Sequence, residues 1–192
     1  MRSRQRRSRD GTTVMDRSNW LIVGLAVVAA AIGGYAEHRS GQPEQADSPL
    51  IGQPLPALSL PDLDGEAHPL SDYRGRRVLL NFWASWCGPC LDEMPALARA
   101  QAKFGERGPI VVGIAMDQPD HVRAFLGAHP LNYPVLLGQL GTPSTSLQLG
   151  DMHDVLPYSV LIDADGRILA THLGTLPPAQ LEQWLAPLQG KP

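Results

Sequence analysis

Six nearly continuous apolar residues, Val78–Trp83 (VLLNFW), run through Ala84-Ser85-Trp86 into Cys87-Gly88-Pro89-Cys90, and this junction constrains the fold more than any other stretch. An apolar run without alternation reads as a strand buried on both faces. Helical spacing starts at about Pro89 and lasts to Phe104, with Gly105 as its stop. Ile110–Met116 (IVVGIAM) is a second buried strand, and His121–Leu126 suits a short helix. Ala57–Leu60 is a short extended segment followed by a turn at Asp64-Gly65, and Tyr133–Leu137 reads as a further short strand. Ser159–Ile162 and Ile168–His172 are strands joined by Asp163-Ala164-Asp165-Gly166, a strong hairpin signal. Pro177 and Pro178 open a last helix whose apolar stripe is Leu181, Trp184, Leu185 and Leu188. Strand–helix–strand, a hairpin and a closing helix make an α/β sandwich with a mixed sheet.

Cys87 and Cys90 are the two cysteines of the chain, so no framework of structural disulfides is available. A bridge between them closes a loop worth roughly 2 kcal/mol by the chain-entropy estimate, a poor reason to have it. Chemistry is a better one. Cys87 stands at a strand-to-helix junction, where unpaired N–H groups and the positive end of the helix dipole favour thiolate over thiol. Cys90 falls one turn further on the same helical face, within bridging range. The first sulfur can attack a disulfide, and the second can then release the mixed disulfide. Pro89 suits a helix's first turn and, with Gly88, fixes the spacing. The alternatives are an inert pair or half of a zinc site, which would need two more ligands. His38, His68, His121, His129, His153 and His172 are scattered, with no second C-x-x-C, so no metal is expected.

The N-terminal region addresses compartment. Residues 1–19 hold six arginines against Asp10 and Asp16, a balance of +4 within a net charge of −3, so the remainder is acidic and offers no nucleic-acid patch. Trp20–Ala36 carries no charge and would span roughly 25 Å as a helix, the short end of a bilayer crossing. The basic flank places the N-terminus in the cytoplasm and the rest on the far side. The segment is either a retained transmembrane anchor, giving a single-pass protein facing the periplasm or cell exterior, or a signal cleaved near Gly34-Tyr35-Ala36, giving a soluble exported domain. Residues 37–50 read as a polar linker, and the folded domain as residues 51–189.

Val78–Pro95, VLLNFWASWCGPCLDEMP, resembles the active-site segment of the thioredoxin superfamily. More narrowly it is similar to the membrane-anchored, exported branch typified by TlpA and ResA and related to the cytochrome c biogenesis thioredoxins. The resemblance covers about residues 50–188. It implies a thioredoxin-like fold, a central mixed sheet flanked by helices, with Cys87 as exposed nucleophile and Cys90 as buried resolving thiol. No cofactor is implied. Glu93, three residues after Cys90, matches the W-C-x-x-C-x-x-E-x-P pattern and can take the Cys90 proton; a solvated carboxylate beside Asp92 is the alternative. Asn81 occupies the strand position where thioredoxin has a buried aspartate, as a structural amide or a direct participant. Pro95 should kink the helix. Pro157, in VLPYSVLID, resembles the superfamily's cis-proline loop and, with Leu156 and Trp86, is expected to contact the client chain. Trp83 packs. Asp151, His153 and Asp154 read as a solvated turn, Met116 as core and His129 as surface.

Two rival classes share parts of this pattern. The run LSDYRGRRVLLNFWA also occurs in peroxiredoxins, but the threonine or serine and the proline of a peroxidatic site are replaced by Ala84 and Leu80. A copper-delivery protein of the Sco type would need C-x-x-x-C and a matching histidine. Within the favoured class the Gly88-Pro89 dipeptide of CGPC points to a reductant. An exported reductant needs a membrane electron donor, and its clients are disulfide-bearing proteins such as apocytochrome c or a copper-site protein.

Overall fold

The computed structural model describes residues 48–105 and 108–186. In chain order these form β1 (Ser59–Pro61) and β2 (Ala67–Pro69), a 3-10 turn at Leu70–Tyr73, β3 (Val78–Trp83), and α1 (Gly88–Phe104). There follow β4 (Ile110–Ala115), α2 (Pro119–Ala128), β5 (Val135–Leu137), α3 (Thr145–Gln148), β6 (Tyr158–Ile162), β7 (Ile168–Leu173) and α4 (Pro178–Leu185). β1 and β2 pair as a separate antiparallel hairpin, and the other five strands form one sheet in the order β5-β4-β3-β6-β7.

Every residue of β3 is buried, as its apolar run, interrupted only by Asn81, leads one to expect. It is the middle strand, parallel to β4 on one side and antiparallel to β6 on the other. β5 adds parallel to β4, and β7 adds antiparallel to β6, so the sheet is mixed. The two-residue period of β3 divides the core. Val78, Leu80 and Phe82 face a cluster with Val112, Ile114 and Val160 that β1, the 3-10 turn and Leu149 help to cover. Leu79 faces the other way, against Leu97 and Ala100 of α1 and Leu181, Trp184 and Leu185 of α4. Trp83 shares that second face with Cys87, Cys90 and Met94. Helix α1 therefore lies flat on the sheet, with its first turn at the carboxyl end of β3.

The β6–β7 turn follows its sequence signal. Asp163 Oδ1 accepts from the backbone N–H groups of Asp165 and Arg167, and Gly166 takes φ +83°, a left-handed conformation that suits glycine. Other expectations shift. Helix α2 is longer than His121–Leu126, because Pro119 opens its first turn. Pro95 lies inside α1 and cannot donate to the Leu91 carbonyl, yet α1 is continuous over 17 residues. The first strand begins at Ser59 rather than Ala57. β2 and α3, of three and four residues, carry too few positions for a periodic signal. Ser48, which the sequence assigns to the linker, is buried beside Gly150, so the domain includes it. The basic tail 1–19, the apolar segment 20–36 and most of the linker lie outside the described residues. Among the described residues no helix is long and apolar enough to cross a membrane.

Leu80 is fully buried on the middle strand. Leu80→Ala should cost about 2–5 kcal/mol through lost burial and the cavity left behind. Urea denaturation should show a lower midpoint with an unchanged slope.

Candidate functional site at the carboxyl end of the central strands

Cys87 caps α1, with φ −88° and ψ 97°, and Gly88 is the first helical residue. Pro89 follows in the first turn, where its missing N–H costs nothing. Cys87 and Cys90 are joined in a disulfide, with their Cα atoms 5.3 Å apart. Cys90 is fully buried and Cys87 is 5% exposed, so the nucleophile that the resemblance expected to be open is nearly covered. The cause is local packing: both cysteines sit in one cluster with Trp83, Ala84 and Met94, against which Leu156 packs. Cys87 is the more accessible of the two. Trp86, one residue earlier, is 71% exposed, while Trp83 is buried against the Phe125 ring at 5.3 Å.

The loop between β3 and Cys87 is held by a residue that no motif flagged. Asp117, just beyond β4, is buried; its Oδ2 accepts from the backbone N–H of Ser85 (3.0 Å) and the Ser85 hydroxyl. Its Oδ1 accepts from Gln118 N–H at 2.7 Å and lies 3.1 Å from His121 Nδ1. Burial pushes this carboxyl up, and the donors from Ser85, Gln118 and His121 together outweigh it, holding the group below the ordinary carboxylate range. A lone aspartate after an apolar strand carries no sequence signal. Only the parallel pairing of β3 with β4, which brings the two strand ends side by side, reveals the contact.

Glu93 is buried, 4% exposed, beneath α1, whereas its neighbour Asp92 is exposed. This excludes the solvated-carboxylate alternative. Asn81 Nδ2 donates to Glu93 Oε1 at 2.7 Å and to Ser159 Oγ at 3.2 Å, and Leu176 N–H donates to Glu93 Oε2 at 2.9 Å. Burial raises the carboxyl above the ordinary range, and the Leu176 and Asn81 donors offset only part of that rise. The Leu176 N–H is presented by the loop after β7, where His172 Nε2 lies 3.1 Å from the Thr175 carbonyl. One carboxylate thus joins α1, β3 and the β7–α4 loop.

The Leu156–Pro157 peptide is cis, and Pro157 is buried with its carbonyl accepting from Gly174 N–H at 2.8 Å. Thr142–Pro143 is cis as well, without a signal in the sequence. The preceding turn is less wet than expected. His153 and Asp154 are exposed, but Asp151 is 1% exposed, and Asp154 Oδ1 accepts from the hydroxyls of Ser144 and Ser146 at 2.8 Å each. Burial raises the Asp151 carboxyl. Met116 is core and His129 surface, as the pattern indicated. Among the described residues no group of three metal-ligating side chains could hold an ion.

The Redoxin family model matches residues 50–185. The chain is similar to the thioredoxin-like protein YneN of Bacillus subtilis, 34% identical over 139 residues, which cover 70% of this chain and 78% of that one. It is 33% identical over 167 residues to the thiol-disulfide oxidoreductase ResA of Bacillus cereus, covering 85% of this chain and 92% of the relative. Among solved structures, a secreted thiol-disulfide isomerase from Corynebacterium glutamicum superposes with a TM-score of 0.62 at 27% identity, over 70% of this chain and 84% of that one.

The raised Glu93 carboxyl has a consequence for stability. Folding favours its neutral form, so its stabilising share is fully present below the ordinary value of 4.5 and is lost as pH rises through the folded value. Glu93→Gln, uncharged throughout, should escape that loss. Its stability measured by urea denaturation should therefore gain on the parent as pH rises from about 4 to 8. Parallel pH curves for the two proteins would contradict the assignment.

Proposed function

The chain belongs to the Redoxin family and is a thiol–disulfide oxidoreductase, and from that premise we propose that it acts as a reductase of protein disulfides outside the cytoplasm. The observation that carries the reading is the buried carboxylate of Glu93, one turn along α1 from buried Cys90, beneath a cysteine pair at the helix start. In the reduced enzyme the Cys87 thiolate attacks a client disulfide, forming a Cys87–client mixed disulfide and releasing one client sulfur as thiolate. The helix N-terminus favours this thiolate. Cys90 then gives its proton to Glu93 and attacks the Cys87 sulfur. The Cys87–Cys90 bond forms, and the second client sulfur leaves as a thiolate that is protonated from solvent. Two electrons pass from enzyme to client, and a membrane donor must return them.

A carboxyl raised by burial suits the proton step, because its affinity lies closer to that of the thiol it serves. Asn81 positions Glu93, while Gly88 and Pro89 set the cysteine spacing. Trp86, exposed beside Cys87, Leu156, which packs on the cysteine cluster, and the adjoining Pro157 form the contact surface for the client chain. The basic tail followed by the apolar segment 20–36 supports export, with the segment retained as a membrane anchor or cleaved to free the domain. Disulfide-bearing clients such as apocytochrome c or a copper-site protein fit this placement.

Direction is tested by equilibrating the full chain with glutathione or dithiothreitol buffers. A potential near the about −270 mV of a thioredoxin-type reductant is expected, and one near about −120 mV would reverse the proposed direction. Cys90→Ser should accumulate clients as mixed disulfides through Cys87, and mass spectrometry of the adducts names them. If no adduct forms in either redox state, the exchange scheme fails. Glu93→Gln should slow the resolving step about 10- to 100-fold and shift its pH dependence.

A further inference from the structure

Three buried polar atoms near Glu93 have no hydrogen-bond partner in the protein: Asn81 Oδ1, Trp83 Nε1 and Tyr133 Oη. Their residues are 0%, 0% and 6% exposed, so bulk solvent does not serve them. Buried polar atoms are nearly always paired, and each exception needs a cause. Here the three share one place. Asn81 and Gly113 are paired across β3 and β4, and a Cβ built on Gly113 would stand 3.1 Å from Trp83 Nε1 and 3.3 Å from Tyr133 Cε2. The missing side chain of Gly113 lets the indole N–H and the phenol ring approach the strand next to Asn81. On the other side of Asn81 its amide N–H already holds Glu93.

The chemistry of the three is complementary. Trp83 Nε1 can only donate, Asn81 Oδ1 can only accept, and the Tyr133 hydroxyl can do either. We propose that these three atoms hold one internal water, and that Tyr133 is a positioning residue which stabilises the ionised form of Glu93 through that water and Asn81. The water accepts from Trp83 and Tyr133 and donates to Asn81 Oδ1, and the Asn81 amide donates to the carboxylate. Every donor in this chain points toward Glu93, and hydrogen bonds in series strengthen one another. Buried waters typically make about three such bonds to otherwise unsatisfied groups. Burial raises the Tyr133 phenol and the charge of Glu93 raises it further, so Tyr133 stays protonated as a donor and lies within electrostatic reach of the carboxylate.

The inference rests on the reading of Glu93 as the proton acceptor for Cys90. The titratable groups around it are Cys90 on α1, Tyr133 ahead of β5 and His172 on β7; Asp62 and Asp64 border a groove of about 350 Å³ that Tyr133 also lines. The decisive measurement is the pH dependence of the resolving step in the full-length parent, Tyr133→Phe, Glu93→Gln and the double variant. Tyr133→Phe keeps the ring and should move the midpoint up by about 0.5–1 pH unit, the scale of one neutral hydrogen bond. In the Glu93→Gln background the same change should leave the profile where it is. If Glu93→Gln alters the profile but Tyr133→Phe leaves the midpoint at the parent's position, the water-linked role falls while Glu93 stands as base. If Glu93→Gln itself changes nothing, both readings fall. Should Tyr133→Phe not fold, a high-resolution crystal structure of the oxidised parent decides: a water within hydrogen-bond distance of all three atoms is expected, and its absence overturns the proposal.

Discussion

The hydrogen bonds from Asn81 and Leu176 to Glu93 tie together three elements that are separate in the chain. β3 supplies one donor, the β7–α4 loop supplies the other, and α1 supplies the acceptor. The first turn of α1 carries the disulfide, so the geometry of the cysteines relative to the sheet depends on where this carboxylate holds the helix. A methionine or leucine at position 93 would also fill the space and bury more apolar area. The carboxylate sits there despite its desolvation, and the Leu176 and Asn81 donors offset part of that cost.

Burial and hydrogen bonding pull in opposite directions at two carboxylates of the site, with opposite outcomes. At Glu93 burial prevails and the carboxyl is raised; at Asp117 the donors from Ser85, Gln118 and His121 prevail and it is lowered. The difference follows from supply. Asp117 accepts from the Ser85 N–H and hydroxyl and the Gln118 N–H and faces His121, while Glu93 has the Leu176 N–H and the Asn81 amide. The Glu93 carboxyl is therefore biased toward its neutral form, and the Asp117 carboxylate holds a loop.

The sheet and the cysteine site were legible because their signals are local. An apolar run marks β3, the 3.6-residue spacing marks α1, and Cys87, Cys90 and Glu93 fall on one face by spacing alone. Glu93 is buried, and Leu156 packs on the cysteine cluster. Asp117, Gly113 and Tyr133 could not be read in this way. Each matters through a partner on another strand or loop, and the register that brings those partners together is set by tertiary pairing. In the turn before Pro157, His153 and Asp154 are exposed and Asp151 alone is buried, for the same reason: a polar residue reads as wet until a neighbouring segment covers it. The shallow burial of Cys87 likewise depends on Trp83, Met94 and Leu156 closing round it, a property of packing that no motif records.

The Asp117 clamp also bears on how much the protein can change shape during turnover. Ser85 is fixed by both its backbone N–H and its hydroxyl, and Met116 N–H reaches the Trp83 carbonyl at 2.7 Å, so the backbone on the strand side of Cys87 is pinned from two directions. Making and breaking the sulfur bond then leaves that side in place and loads any adjustment onto the first turn of α1.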